Sequence, residues 1–366
     1  MSDPVIGRRA LLRGAGGLAA LAALPSLAAC GTGASRASAG GKGTGKTVII
    51  RNSGGAYGEA LQQAIYTPFT KETGIGVKAT NLQGTQMLAQ MKQGRPQFDL
   101  IDNSMQEYVK WESSNVLEKL DFDRIKSFKA AKLPMNMITE YSVAKSFYAS
   151  VMAYRTDAFG GKKPGTWADF WDAKAFKGSR SMCNPDADLP ELEFALLADG
   201  VPLDKLYPLD VDRAFRVMTR IRSDVKKFWD SGPLPGVLLS REEVTMSTVW
   251  HGRLDQLIKQ GTPLAYQLDG ARRQSQGLAI PKGAANQDAA YQLIDYSLRP
   301  EVQAALAKIY PSNPVVKSAY DKLSEKERAG LAGAPEYFDK GFDVDVNWWL
   351  THEAAVTDRW LEWARG

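Results

Sequence analysis

Gly40, Gly45, Lys46 and Thr47 satisfy G-x-x-x-x-G-K-[ST] within "GGKGTGKTVII" (residues 40–50). That string would imply a loop whose backbone N–H groups wrap nucleotide phosphates, and hence a P-loop nucleotide hydrolase. The chemistry needs a buried strand before the glycines and a helix after them, because the helix N-terminus supplies part of the field. Here "GTGASRASAG" (31–40) comes first and reads as Gly/Ala/Ser-rich linker, while "TVIIRN" (47–52) follows and reads as a β-branched strand. The order is inverted, which disfavours the hydrolase. The histidines, His251 and His352, lie a hundred residues apart with no cluster at ligand spacing, and neither G-x-S-x-G nor H-E-x-x-H occurs. No catalytic residue, metal or cofactor is implied.

The stretch before the glycine motif explains its composition. "MSDPVIGRRALLRG" carries the pair Arg8-Arg9 followed by Leu11, Leu12 and Arg13, and "GGLAALAALPSLAA" then leads into Cys30. The apolar run has the length of a signal h-region and falls short of a membrane span. The arginine pair resembles a twin-arginine export signal, and "LAAC" (27–30) resembles a lipobox whose cysteine is lipidated. Residues 1–30 are therefore expected to be a leader and 31–46 a flexible tether, placing the protein in the periplasm on a lipid anchor. With Cys30 so used, Cys183 has no partner and no disulfide framework is expected.

About 335 residues follow the leader, enough for two lobes. The net charge of +5 falls to +3 once Asp3, Arg8, Arg9 and Arg13 are removed. That charge is too small and dispersed for a nucleic-acid partner.

The elements that must position any site begin with the strand "TVIIRN". A helix follows in which Ala60, Leu61, Ala64, Ile65 and Phe69 recur at helical spacing, and Gly74 ends it. A second strand, a helix over "GTQMLAQMKQG" (84–94), a strand over "QFDLIDNS" (97–104) and a helix over 107–121 come next. Such alternation predicts an α/β lobe with a largely parallel sheet. Ligands in such sheets bind at the carboxyl ends of strands, here the loop Ser53–Tyr57 and the turn Asp102–Ser104. Further on, 146–159 reads as a strand pair and 210–232 as helices, and the last fifty residues as helical and rich in tryptophan.

Several segments together carry a family resemblance: "PFTKETGI" (68–75), "GTWADFWD" (165–172), "LEFALLADGV" (192–201), "VWHGR" (249–253), "LAIPKGAANQDAAYQLIDYSLRPEVQAALA" (278–307) and "YPSNP" (310–314). In that order and spacing the chain resembles the periplasmic solute-binding proteins of ABC importers, in particular the spermidine/putrescine-binding group. The resemblance implies a type II periplasmic-binding-protein fold, two α/β lobes joined by hinge strands with a ligand cleft between them. By analogy, lobe one is 47–150 plus 262–310, and lobe two is 151–261 plus 311–366. The implied function is capture of a solute by hinge closure and delivery to a permease and its ATPase, without enzymatic activity and as a monomer.

A polyamine, the solute this resemblance favours, needs carboxylates at its amines and aromatic faces along its methylenes. Asp186, Asp188, Glu191 and Glu193 crowd the place where the similar proteins put an acidic pair, Asp188 and Glu191 having the better spacing. The alternative is that these carboxylates cap the helix that follows. Trp250 matches the family's cleft tryptophan, and Tyr57, Trp229 and Tyr310 are further aromatic candidates. Ser53, Gly55, Asn103 and Ser104 complete the expected ligand-binding set. Two departures bear on the solute. His251 stands where the relatives usually have Asn, and Arg253, Arg272 and Arg273 lie near cleft-facing segments, where an inward arginine would favour an anionic or zwitterionic ligand. Amino-acid-like and thiamine-like solutes stay open.

Overall fold

The computed structural model describes residues 47–82, 84–133 and 137–366. The leader 1–30 with Cys30, the tether 31–46 and the glycine motif up to Lys46 lie outside them.

Among the described residues ten strands form one hydrogen-bonded sheet. They are β1 (Thr47–Arg51), β2 (Gly76–Thr80), β3 (Leu100–Ser104), β4 (Ser142–Arg155), β5 (Arg180–Cys183), β6 (Val225–Trp229), β7 (Met246–Trp250), β8 (Leu264–Ala279), β9 (Asn313–Pro314) and β10 (Phe342–Asp343). The order is β2-β1-β3-β8-β4-β7-β5-β6, with β9 on β4 and β10 on β8. β1 is parallel to β2 and β3, and β5 is parallel to β6 and β7. Between these parallel groups, β4 and β8 run antiparallel to each other and to β7 and β3.

Burial explains the arrangement. Leu100 and Ile101 are both fully buried, so β3 is covered on both faces, while β1 buries Val48 and Ile50 on one face and half-buries Ile49 on the other. The helical run Gly55–Thr73 buries Ala60, Leu61, Ala64, Ile65 and Phe69 and stops at Gly74, whose φ of 73° is left-handed. Two main apolar cores result. Val143, Ala144, Phe147, Leu278 and Ala279 pack into the first, while Met152 and Tyr154 join the second. Val151, Leu264, Leu268 and Ala271 pack in a flanking cluster. β4 therefore passes from the first core to the second, and β8 from the first core to the flanking cluster, with Ala265 packed against the second, as hinge strands must.

Three expectations are corrected. The strand pair over 146–159 is the end of a single strand of 14 residues. Residues 210–232 hold an α-helix only over Val211–Thr219, followed by a single 3-10 turn at Arg222–Asp224; Val225–Trp229 form edge strand β6, whose exposed Lys226 and Lys227 discourage further pairing. The helix expected over 107–121 spans Met105–Glu112. Asn115 then turns at φ 55°, and Leu117 bridges to Pro281.

Candidate functional site

Where the hinge strands leave the first core, a cavity of about 290 Å³ opens between loops of both α/β halves. Arg51, Ser53, Tyr57, Asn103, Ser104, Ser146, Phe147, Tyr148, Ala187, Trp250, Arg253, Gln276, Tyr310, Pro311 and Ser312 line it.

The first wall comes from the carboxyl ends of β1 and β3. After Asn52 the chain turns through Gly54 and Gly55, both left-handed at φ 63° and 60°, with Gly54 N donating to Asn52 Oδ1 at 2.9 Å. This turn aims Tyr57 at the cavity. Tyr57 OH donates to Asp102 Oδ2 at 3.3 Å and accepts from Lys145 Nζ at 2.7 Å, while Lys145 pairs with Asp102 at 2.8 Å. Both charged partners are buried, and Gln276 Nε2 donates to Asp102 Oδ1 at 2.8 Å. Burial, then the Asp102 charge, push the Tyr57 phenol well above its ordinary value, so it stays protonated. Ser104 caps the helix Met105–Glu112, accepting from Glu107 N at 3.3 Å.

The opposite wall is Trp250 at the end of β7, with Tyr148 edge-on to it at 5.7 Å. A Cβ at Gly232 would meet the Trp250 ring at 2.8 Å and Arg253 Nε at 3.2 Å, so glycine is required there by close approach. Tyr310 closes the cavity beside Tyr57, their ring centroids 5.5 Å apart.

Ser53, Tyr57, Asn103, Ser104, Trp250 and Tyr310 are thus brought together, and four expected residues sit elsewhere. Gly55 shapes the turn without lining the cavity. Asp188 lies one layer behind, its carboxylate accepting from Trp250 Nε1 (2.8 Å), Ser150 Oγ (2.8 Å) and Gln274 Nε2 (2.9 Å). Glu191 is buried, accepting from Cys183 N at 2.6 Å and Thr248 Oγ1 at 2.7 Å. It does not cap its helix either. Burial raises its pKa to about 7, against those hydrogen bonds, which favour the charged form. Trp229 is buried, donates to Thr248 Oγ1 at 3.0 Å and supports Trp250 edge-on at 5.6 Å. Glu193 is tied to Arg272, Tyr207 and Trp349.

Sequence reasoning missed Arg51, Tyr148 and Gln276. Arg51 ends a strand whose next loop was singled out, so the strand-end rule could have included it. Tyr148 and Gln276 sit within the long strands, and nothing in their local pattern marks them. Of the arginines near cleft segments, Arg253 lines the cavity, Arg272 is buried behind it, and Arg273 pairs with Asp343 at 2.7 Å. His251 is buried, with Nδ1 3.1 Å from Ala149 O, and burial lowers its pKa, so it packs as a neutral ring.

The lining has a marked charge character. It contains Arg51 and Arg253 but no Asp or Glu. Arg51 donates to Leu82 O at 3.0 Å and Asp102 O at 3.3 Å, and among the described residues neither guanidinium forms an ion pair. No group of residues suited to a metal occurs among the described residues.

Residues 64–332 match the family described as bacterial extracellular solute-binding protein. The chain belongs to this family. Two curated relatives are similar to the solute-binding protein. The gamma-aminobutyric acid-binding protein of Pseudomonas aeruginosa is 28% identical over 87% of this chain and 91% of its own. The spermidine/putrescine-binding periplasmic protein of Escherichia coli is 25% identical over 69% and 75%. An ABC transporter substrate-binding protein from Bradyrhizobium japonicum superposes with a TM-score of 0.81, at 32% identity, covering 87% of this chain and 99% of its own. A GABA receptor structure gives 0.77 at 29%, covering 87% and 98%. The solute-binding protein is thus the extracytoplasmic binding component of an ABC transporter, has the two-lobed fold of its relatives, and is not an enzyme.

Proposed function

We propose that the solute is a small zwitterion of the amino-acid type, such as 4-aminobutyrate, trapped by closure of the two lobes about β4 and β8. The observation that carries this reading is the lining: two guanidiniums without an ion pair among the described residues, five aromatic rings and no carboxylate. An arginine fork matches a carboxylate in two hydrogen bonds, and an ammonium over Tyr or Trp gains about 0.5–2 kcal/mol. Similarity to a GABA-binding protein supports the same class. A polyamine is the second reading, supported by similarity to a spermidine/putrescine-binding protein. A dication would have to enter beside two guanidiniums without a lining carboxylate, which favours the zwitterion.

Calorimetric and thermal-shift titrations of refolded, ligand-free protein test it. At hundredfold excess over its dissociation constant, 4-aminobutyrate is expected to add about 2.7 kcal/mol of stability. Trp250→Ala should remove most of that gain. Stabilisation by putrescine alone would replace the zwitterion with the polyamine, and no response across a broad metabolite panel would sink both.

The lobes 47–150 plus 262–310 and 151–261 plus 311–366 act as the moving bodies in this reading. Lipid on Cys30 holds the mature chain, exported through the twin-arginine route, to the membrane by the tether 31–46, as a monomer delivering to its permease and ATPase.

A further inference from the structure

We propose that Arg272 sets the charge preference of the cleft without touching the solute; the inference rests on the zwitterion reading above. Arg272 lies on β8 and is 1% exposed. Its Nη2 is 3.3 Å from Asp188 Oδ2 and its Nη1 is 3.1 Å from Glu193 Oε2. Asp188 Oδ2 also accepts from Trp250 Nε1 at 2.8 Å, and Trp250 is cavity wall. One indole ring therefore separates the solute from a buried ion cluster. Asp188, Glu193 and Arg272 together carry one net negative charge, and they would carry two without the guanidinium. Buried charges are weakly screened, so the difference acts across the ring on whatever occupies the cavity.

With Arg272 present, the wall tolerates an ammonium but does not draw a second one, and Arg51 and Arg253 are left to hold a carboxylate. The same arginine also donates to Leu189 O at 2.8 Å and Pro190 O at 3.0 Å. A purely structural role would rest on those bonds alone. The two roles differ in what they do to ligands of different charge. A structural defect weakens all solutes alike, whereas a charge defect discriminates.

The experiment compares 4-aminobutyrate with 1,4-diaminobutane, two chains of similar length with one ammonium in common and opposite charge at the other end. Dissociation constants are measured at pH 6 by calorimetry for wild type, Arg272→Met, Arg272→Lys, Asp188→Asn and the double variant Arg272→Met/Asp188→Asn. Arg272→Met should shift the ratio of the two constants toward the diamine by about tenfold, the effect of one unit charge at this range. Asp188→Asn should shift it the other way, Arg272→Lys should leave it near wild type, and the double variant should return it most of the way. If Arg272→Met fails to fold, the Asp188→Asn ratio decides. Equal weakening of both solutes in every folded variant overturns the proposal, even where wild type prefers the zwitterion. A wild type that prefers the diamine overturns the solute class instead, while the ratios still judge Arg272. Binding of neither solute by wild type overturns both.

Discussion

At the residue scale, the carboxylates near the helix Leu192–Ala198 show what composition conceals. Asp188 and Glu191 were candidates for amine capture or for capping, and they do neither. The distinction depends on which way each side chain points after a short turn, and burial by distant strands decides that. Glu191 gives a measurable consequence. Its pKa in the fold, about 7, lies above its ordinary value of 4.5. The folded state then holds a proton that the unfolded chain has released. Stability from this group is fully present below about pH 4.5 and is lost as pH rises through 7, by up to about 3 kcal/mol. Chemical denaturation across that window should show the decline, and Glu191→Gln should flatten it. An unchanged slope in the variant would mean that Glu191 ionises normally in the fold. Tyr57 and Trp250, in contrast, were legible. A tyrosine just after a glycine turn at a strand end, and a tryptophan in a family segment, each have few other places to go.

At the element scale, the helical run Gly55–Thr73 was readable because its apolar positions repeat at one period and a glycine stops it. β6 was not, since "VKKFW" follows a strongly helical pattern and carries two exposed lysines. β8 also escaped, and β4 was legible as strand but not as one strand, because each changes its packing partners part-way and so shows no single alternation. Their close approach to the helix Met105–Glu112 depends on Gly277. A Cβ there would collide with Met105 Sδ and sit 2.9 Å from Val143 O. Gly277→Ala is therefore expected to cost about 1–3 kcal/mol, read as a lowered denaturation midpoint. Full stability in that variant would show that the helix can slide away from the strand.

At the scale of the whole molecule, the cavity's position at the crossing of β4 and β8 links occupancy to the relative placement of the two cores. Small-angle scattering should show a smaller radius of gyration with saturating 4-aminobutyrate, and the change should vanish in Trp250→Ala. The same protein lacking residues 31–46 should bind the solute equally well and hydrolyse no nucleotide; loss of binding there would return the glycine motif to consideration.

The sequence by itself determined the α/β class, the family and the strand-end loops that form one wall, because these follow from local periodicity and from segments in a fixed order. Only the tertiary structure decided the charge of the cleft. Arg51, Arg253, Asp188 and Arg272 are far apart in the chain. Arg51 ends β1, Asp188 follows β5, Arg253 follows β7 and Arg272 lies within β8. Whether each charge faces the solute or cancels a neighbour therefore depends on how these strands pair across the sheet, and no local pattern encodes that pairing.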